Sequence, residues 1–341
     1  MKRFTAFLLL LSLLLLTACA SSAQTPNDLA PDDAERLVLY TSHKKEVWWP
    51  IVKEFESRTG IWVEVVEGGT NELLEQIRSK KDAPEADVMF GGGVESLQSY
   101  SSCFASYTCQ DAAQIAAQYR SPDDIWTPFS SLPVVLICNP KLLPSEGLQG
   151  WSNLLAPELR GKIAFADPSV SGSSFTGLVT MLYALRGETQ DSTLRKFAEN
   201  LDGKLLSGSG DVVSAVASGE ALAGITLEET ALKRIAAGDE LEMIYPSDGT
   251  SCVPDGTAIV SGAPHLDNAR AFVDFTVSRD VQELIQARLY RRSVRSDVEP
   301  ASKLPPLKQL AQVDYDVSWA SEHRDSILMS WAFYLDTEPK S

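Results

Sequence analysis

The residues in this chain best suited to chemistry are small hydroxylated side chains and glycines, and they recur in short turns. Thr41, Ser42 and His43 stand together, Gly69 and Thr70 form a second turn, Gly92 lies in a third, and Ser171, Gly172, Ser173 and Ser174 make a fourth. Such residues offer hydroxyls and unencumbered backbone N–H groups, which stabilise negative charge where they open a helix. The expected chemistry is oxyanion binding by converging donors, with no metal and no organic cofactor. Helix capping by serine also accounts for part of the run at 171–174, though capping needs only one hydroxyl. Glu228 and Asp248 add acids that suit an amine or sugar hydroxyls. One of the adjacent pair Glu228 and Glu229 is expected simply to complement the dipole of the helix that starts there. No Gly-x-Ser-x-Gly elbow, HExxH, Walker loop or paired nucleophile and base is present, so binding is expected rather than catalysis.

The elements that must position these turns alternate from Leu37 to Ser96 as strand, helix, strand, helix, strand. Leu37 to Ser42 is a short apolar run closed by small polar residues, a buried strand. Val47, Trp48, Ile51, Val52 and Phe55 recur at helical spacing from Lys44 to Thr59, and Gly60 supplies the stop. Ile61 to Glu67 and Ala86 to Phe90 are the next strands, and Asn71 to Lys81 is the helix between them. Parallel strands joined by helices bring the turns to one sheet edge, at the carboxyl ends where such sheets bind ligands.

The N-terminus carries Lys2 and Arg3, an apolar run from Phe7 to Leu16, and Leu16-Thr17-Ala18-Cys19. Residues 1–18 therefore predict an export signal that resembles a lipoprotein signal, with Cys19 as the lipidated residue. Residues 19–36 predict a flexible tether. The formal net charge of −16 becomes −18 once Lys2 and Arg3 leave, which disfavours nucleic acid and anionic lipid as partners. Membrane contact is expected through the lipid alone. In an oxidising compartment the remaining cysteines predict a Cys103–Cys109 disulfide and a second between Cys138 and Cys252.

The second half repeats the pattern. Ser130 to Pro140 reads as a buried strand passing from one domain to another, Lys162 to Pro168 and Ala221 to Glu229 as further strands, and Lys204 to Asp211 as a strand with a Gly-Ser-Gly turn that leads into a helix. A second crossing is expected at Pro246 to Val253. Two crossings between two doubly wound α/β lobes imply a hinge and a cleft. Residues 37–134 with 253–300 form the first expected lobe, and 135–252 with 301–341 the second.

The order of motifs resembles the periplasmic solute-binding proteins of ABC importers, in the ferric-ion-binding-like subgroup. The similarity rests on LVLYTSH, the Gly-Gly-Thr turn, ADVMFGGGVESL, the Trp-Ser-Asn-Leu stretch, ADPSVSGSS, YPSDGT and AFVDFTVSRDVQ, and it spans about Leu37 to Leu335. The resemblance implies a periplasmic binding protein of type II: two lobes hinged over a ligand, working as a monomer with a permease and an ATPase, on the outer face of the bacterial cytoplasmic membrane or at the cell surface. Ferric-ion binders of the subgroup use a histidine after the first strand, an acid after the third and adjacent tyrosines in the second lobe. Here His43 holds the first position, but Gly91-Gly92-Gly93 precedes a displaced Glu95 and no Tyr-Tyr pair exists. The donors instead resemble those of the hexose-phosphate and aminoethylphosphonate binders, so the expected solute is a small phosphorylated or phosphonate anion, sugar phosphate and phosphonate both remaining open. Ferric iron is the alternative, and a surface hydrolase a further one.

Overall fold

Strands buried along most of their length determine how the chain builds its layers. The structure is a computed structural model and describes residues 31–337, so the export signal, Cys19 and the tether up to residue 30 lie outside the described residues. Strand β1 (Arg36–Thr41) leads through helix α1 (Lys45–Thr59) to β2 (Trp62–Glu67), and α2 (Thr70–Ser79) leads to β3 (Val88–Gly93) and the short α3 (Val94–Ser99). Gly60 closes α1 in the left-handed conformation at φ 75°, as the sequence predicts. After β4 (Phe104–Ala105) and β5 (Thr127–Ser131) the chain crosses at Leu132 and Pro133 into β6 (Val134–Cys138), which belongs to a second sheet. That sheet adds β7 (Ile163–Ala164), then, beyond α4 (Gly172–Ala184), α5 (Gln190–Leu201) and α6 (Ser209–Ser218), β8 (Ala223–Leu227). Helix α7 (Glu228–Ala236) and β9 (Glu242–Ile244) follow, and the chain returns to the first sheet as β10 (Pro254–Val260). Helices α8 (Leu266–Thr276) and α9 (Arg279–Leu289), β11 (Arg292–Ser293), α10 (Val317–Glu322) and α11 (Arg324–Thr337) complete it.

The first sheet runs β11-β5-β10-β3-β1-β2, with β4 beside β10. β1 is parallel to β2 and β3, whereas the returning β10 is antiparallel to β3. Leu37, Leu39, Val88, Phe90 and Ile259 pack on one face with α1, α8 and α9, while Tyr40, Met89, Ala258 and Val260 pack on the other with α2 and α3. The second sheet, β7-β8-β6-β9, is layered the same way. Val134, Leu136 and Ile225 meet Phe175, Phe197 and Trp331, and Val135 and Ile137 meet Val212, Val213 and Ala231. Each sheet is thus covered by helices on both faces, which is what near-continuous apolar strands require. The C-terminal segment serves both lobes, since α10 packs on α3 of the first and α11 on α5 of the second.

Two sequence expectations are corrected here. The strand expected within Lys204 to Asp211 is reduced to a single parallel bridge from Leu206 to Ala166, whereas the serines and glycines beyond it turn into α6 as expected. The four cysteines are free thiols rather than two disulfides. Cys103 packs with Phe104 and Val260 on one face of the first sheet, while Cys109 packs with the aromatic cluster on the other. Cys138 ends β6, whereas Cys252 lies by the start of that strand, where Val134 N donates to Ser251 O at 3.2 Å. Four residues of strand separate them, roughly 13 Å, far beyond the reach of a disulfide.

Candidate ligand-binding site

The carboxyl ends of β1 and β3 and the starts of helices from both lobes enclose a cavity of about 470 Å³. The sequence placed twelve residues there, and eight of them line it: Ser42, His43, Gly69, Thr70, Gly92, Ser171, Gly172 and Ser173. Their local structure follows from the turns. Gly92 adopts φ 87°, and a methyl group on it would lie 2.6 Å from Thr70 Cγ2, so only glycine fits at this turn. Ser171 caps α4, its hydroxyl accepting from Ser174 N at 3.4 Å. The lobes are in contact: a methyl group on Gly172 would come 3.3 Å from Thr70 Oγ1 on the opposite side.

The other four residues do different work. Thr41 is fully buried; its hydroxyl donates to Phe90 O at 2.7 Å and accepts from His43 N at 3.1 Å, which ties β1 to β3 and aims the histidine. Ser174 is buried in the first turn of α4 and reaches the site only through Ser171. Glu228 faces away from the cavity and takes Arg292 in two parallel bonds of 2.7 and 2.8 Å, with the Tyr245 hydroxyl also donating to it. Asp248 caps the turn Trp151–Leu155, accepting from Trp151 N at 3.1 Å and Ser152 N at 3.4 Å. Asp248→Ala should therefore lower folding stability by about 1 kcal/mol while leaving solute affinity unchanged. Thermal unfolding and a binding titration on the same variant check this, and a large affinity loss at unchanged stability would place Asp248 in the site instead.

Several lining residues were not foreseen. Lys44 and Glu46 come from the start of α1, Ser207 to Asp211 from the start of α6, Glu229, Lys233 and Arg234 from α7, and Asp255 and Arg291 from the first lobe. Arg291, 5% exposed, donates to Asp255 Oδ2 at 2.5 Å and to Ser130 Oγ at 2.9 Å, and stands 3.5 Å from Glu229 Oε1. Burial works against its charge, but the carboxylates of Asp255 and Glu229 outweigh it and raise its pKa. Burial likewise opposes the Glu229 charge, and Arg291 and Lys233 overcome it to hold that carboxyl below the ordinary range. Lys233 pairs with Glu229 at 3.2 Å and reaches Glu46 at 3.7 Å, joining α7 to α1. Arg234 is taken up by Asp239 and the Ser214 hydroxyl. His43, packed edge-on against Phe90, is pushed well below its usual pKa by burial and then by Arg291 and Lys233, so it stands as a neutral imidazole.

Lys44 differs from the other cations. It is exposed, and among the described residues no carboxylate lies within ion-pair distance of it. Its ammonium stands at the beginning of α6, where a methyl group on Gly210 would be 2.5 Å from Nζ. Helices α1, α2 and α6 enter the cavity at Lys44, Gly69 and Gly208, none of which supplies a side-chain cap, and α4 enters at Ser171. Orphan N–H groups and the positive ends of these dipoles therefore converge around one unpaired ammonium.

The profile of a family described as bacterial extracellular solute-binding protein matches residues 83–318. The chain is 26% identical over 311 residues to the iron uptake protein A1 of Synechocystis, covering 86% of this chain and 85% of that protein. It is 24% identical over 289 residues to a putative 2-aminoethylphosphonate-binding periplasmic protein of Salmonella typhi, covering 80% and 83%. The structure of the periplasmic binding protein AfuA from Actinobacillus pleuropneumoniae with exogenous fructose-6-phosphate superposes with a TM-score of 0.82 at 24% identity, covering 89% of this chain and 99% of that one. The fold is that of the two-lobed periplasmic binding proteins, and with its family matched over most of its length this chain belongs to the bacterial extracellular solute-binding proteins, a family of binders rather than enzymes.

Proposed function

We propose that the chain is the solute-capturing component of an ABC importer and that it closes on a small phosphorylated or phosphonate organic solute, which it delivers to the permease and ATPase. It does so as a monomer on the outer face of the cytoplasmic membrane, held by a lipid on Cys19. The observation that carries the solute class is the convergence of four helix N-termini on a cavity beside the unpaired Lys44. Three of those ends lack a side-chain cap, so their amides are available to a ligand oxyanion. Ser42, Thr70, Ser171 and Ser173 add hydroxyls that accept or donate as the solute requires. The same cavity suits ferric iron poorly, because the carboxylates near His43 are already engaged, Asp255 and Glu229 both facing Arg291. The acids Glu46 and Asp211 at the rim suit a hydroxyl or amine on the rest of the solute.

A thermal-shift panel tests the reading. Hexose phosphates, phosphoglycerates and aminoethylphosphonate are compared with unphosphorylated sugars and ferric citrate. A true ligand at a hundredfold its dissociation constant stabilises by about 2.7 kcal/mol. Stabilisation by ferric citrate alone, unaffected by Ser173→Ala, would overturn both the solute class and the site.

A further inference from the structure

Glu95 follows the three glycines at the end of β3, is 0% exposed, and belongs to the first lobe. One of its carboxyl oxygens hydrogen-bonds with Thr176 Oγ1 on α4 of the second lobe, and the other has no hydrogen-bond partner. Thr176 has a single hydroxyl proton, yet its oxygen also stands 3.1 Å from Gly172 O, one turn back along α4. An ionised Glu95 and that carbonyl would compete for one proton. A protonated Glu95 removes the competition, donating to Thr176 Oγ1 while Thr176 donates to Gly172 O. The groups that face this carboxyl are few. Helix α4 presents only the Thr176 hydroxyl. The segment before α10 presents the Tyr315 hydroxyl, which is buried and has no partner. The start of α11 presents Arg324, which is already bonded to Asn71 Oδ1 at 2.6 Å and lies over the Phe175 ring.

We propose that Glu95 is a proton-operated latch between the lobes, its neutral carboxyl closing the hydrogen-bonded chain to Thr176 and Gly172, and its ionised form releasing it. Geometry and electrostatics agree, since burial pushes Glu95 up to about 7 against the weaker pull of Thr176, its own backbone N–H and Arg324. Opening parts Glu95 from Thr176 and admits water, which returns the carboxyl toward its ordinary value. A group whose pKa is raised in the closed form favours closure at acid pH and loses that preference as pH rises through the closed-state value. Between about pH 5.5 and about pH 8 the closed-to-open ratio should therefore fall by up to roughly thirtyfold. The latch's own contribution to solute capture is then larger in acidic surroundings.

The inference rests on the hinged pair of lobes and not on the class of solute. Both readouts are accordingly taken on ligand-free protein, so failure of the ligand panel and failure of the latch are told apart. Small-angle scattering across that pH range should show the natural protein expanding on the alkaline side, while Glu95→Gln, which keeps the shape of the neutral acid, stays compact throughout. An infrared difference spectrum of the natural protein should show a protonated carboxyl band that disappears over the same range. A radius of gyration that does not change with pH, an expansion that persists in Glu95→Gln, or the absence of a titrating carboxyl band would overturn the latch. Burial raises Asp255 as well, so the band is assigned to Glu95 by its absence from Glu95→Gln and, where that variant does not fold, by its persistence in Asp255→Asn.

Discussion

Arg291→Ala is expected to cost about 3–5 kcal/mol of folding stability, a drop of roughly 6–20 °C in melting temperature. The reason lies in what the substitution leaves behind. Asp255 and Glu229 are 3% and 6% exposed, and Arg291 is the cation between them. Removing it strands the buried Asp255 carboxyl, left with the Ser130 donors, and leaves Glu229 to Lys233 on its own lobe. The loss should also depend on pH. In the natural protein Glu229 is held low, so its contribution is present above the ordinary glutamate range and is lost as pH falls through the folded value. Burial already raises Asp255 in the natural protein, and without Arg291 it is raised further, so acidification from neutral pH should recover part of the lost stability by neutralising it. Adding Asp255→Asn to the variant should recover part of it at neutral pH. Thermal unfolding of the three proteins at two pH values checks all of this; a loss under about 1 kcal/mol would mean that water already reaches the pair.

What the sequence reveals and what it conceals divides along local and non-local lines. The strands, α1 and the glycine turns follow from periodicities within a dozen residues, and the turns lie at strand ends because small residues must let backbone approach backbone. That logic is enough to bring Gly69, Thr70, Ser171 and Ser173 to the cavity. The acids show where it stops. Glu228 and Glu229 are neighbours in sequence, but successive helical residues point about 100° apart, so one turns to Arg292 and the other to the cavity. Which one does so depends on how α7 sits against β11, a contact made by distant residues. Arg291 and Arg292 are likewise unremarkable in sequence, an Arg pair in the polar stretch at an edge strand. Their partners Asp255, Glu229 and Glu228 come from strands and helices that only the fold assembles. Cys103 and Cys109 teach the same lesson in reverse. Closeness along the chain does not put two side chains on the same face of a sheet.

Lys44→Glu should weaken binding of a phosphorylated or phosphonate solute by on the order of a hundredfold, and Lys44→Ala by about tenfold. Hydrogen bonds to charged groups contribute about 1.5–3 kcal/mol, and each 1.4 kcal/mol is about a factor of ten in affinity. Folding should hardly respond, because an exposed lysine without a carboxylate partner contributes within about 0.5 kcal/mol either way. A glutamate there would even suit the N-terminus of α1 better than the lysine does. A cation at a position where the helix dipole disfavours it, beside the equally positive start of α6, fits the proposed solute anion better than a structural partner. The variant also separates the two kinds of cargo by sign. Charge reversal at the cavity must weaken an oxyanion and strengthen a metal cation, since it exchanges repulsion for attraction in the second case and the reverse in the first. Titration of natural and Lys44→Glu protein with the best-stabilising phosphate or phosphonate, and separately with ferric citrate, reads that sign directly. Tighter binding of iron in the variant, with no loss for any phosphorylated solute, would show that the cavity was built around a cation.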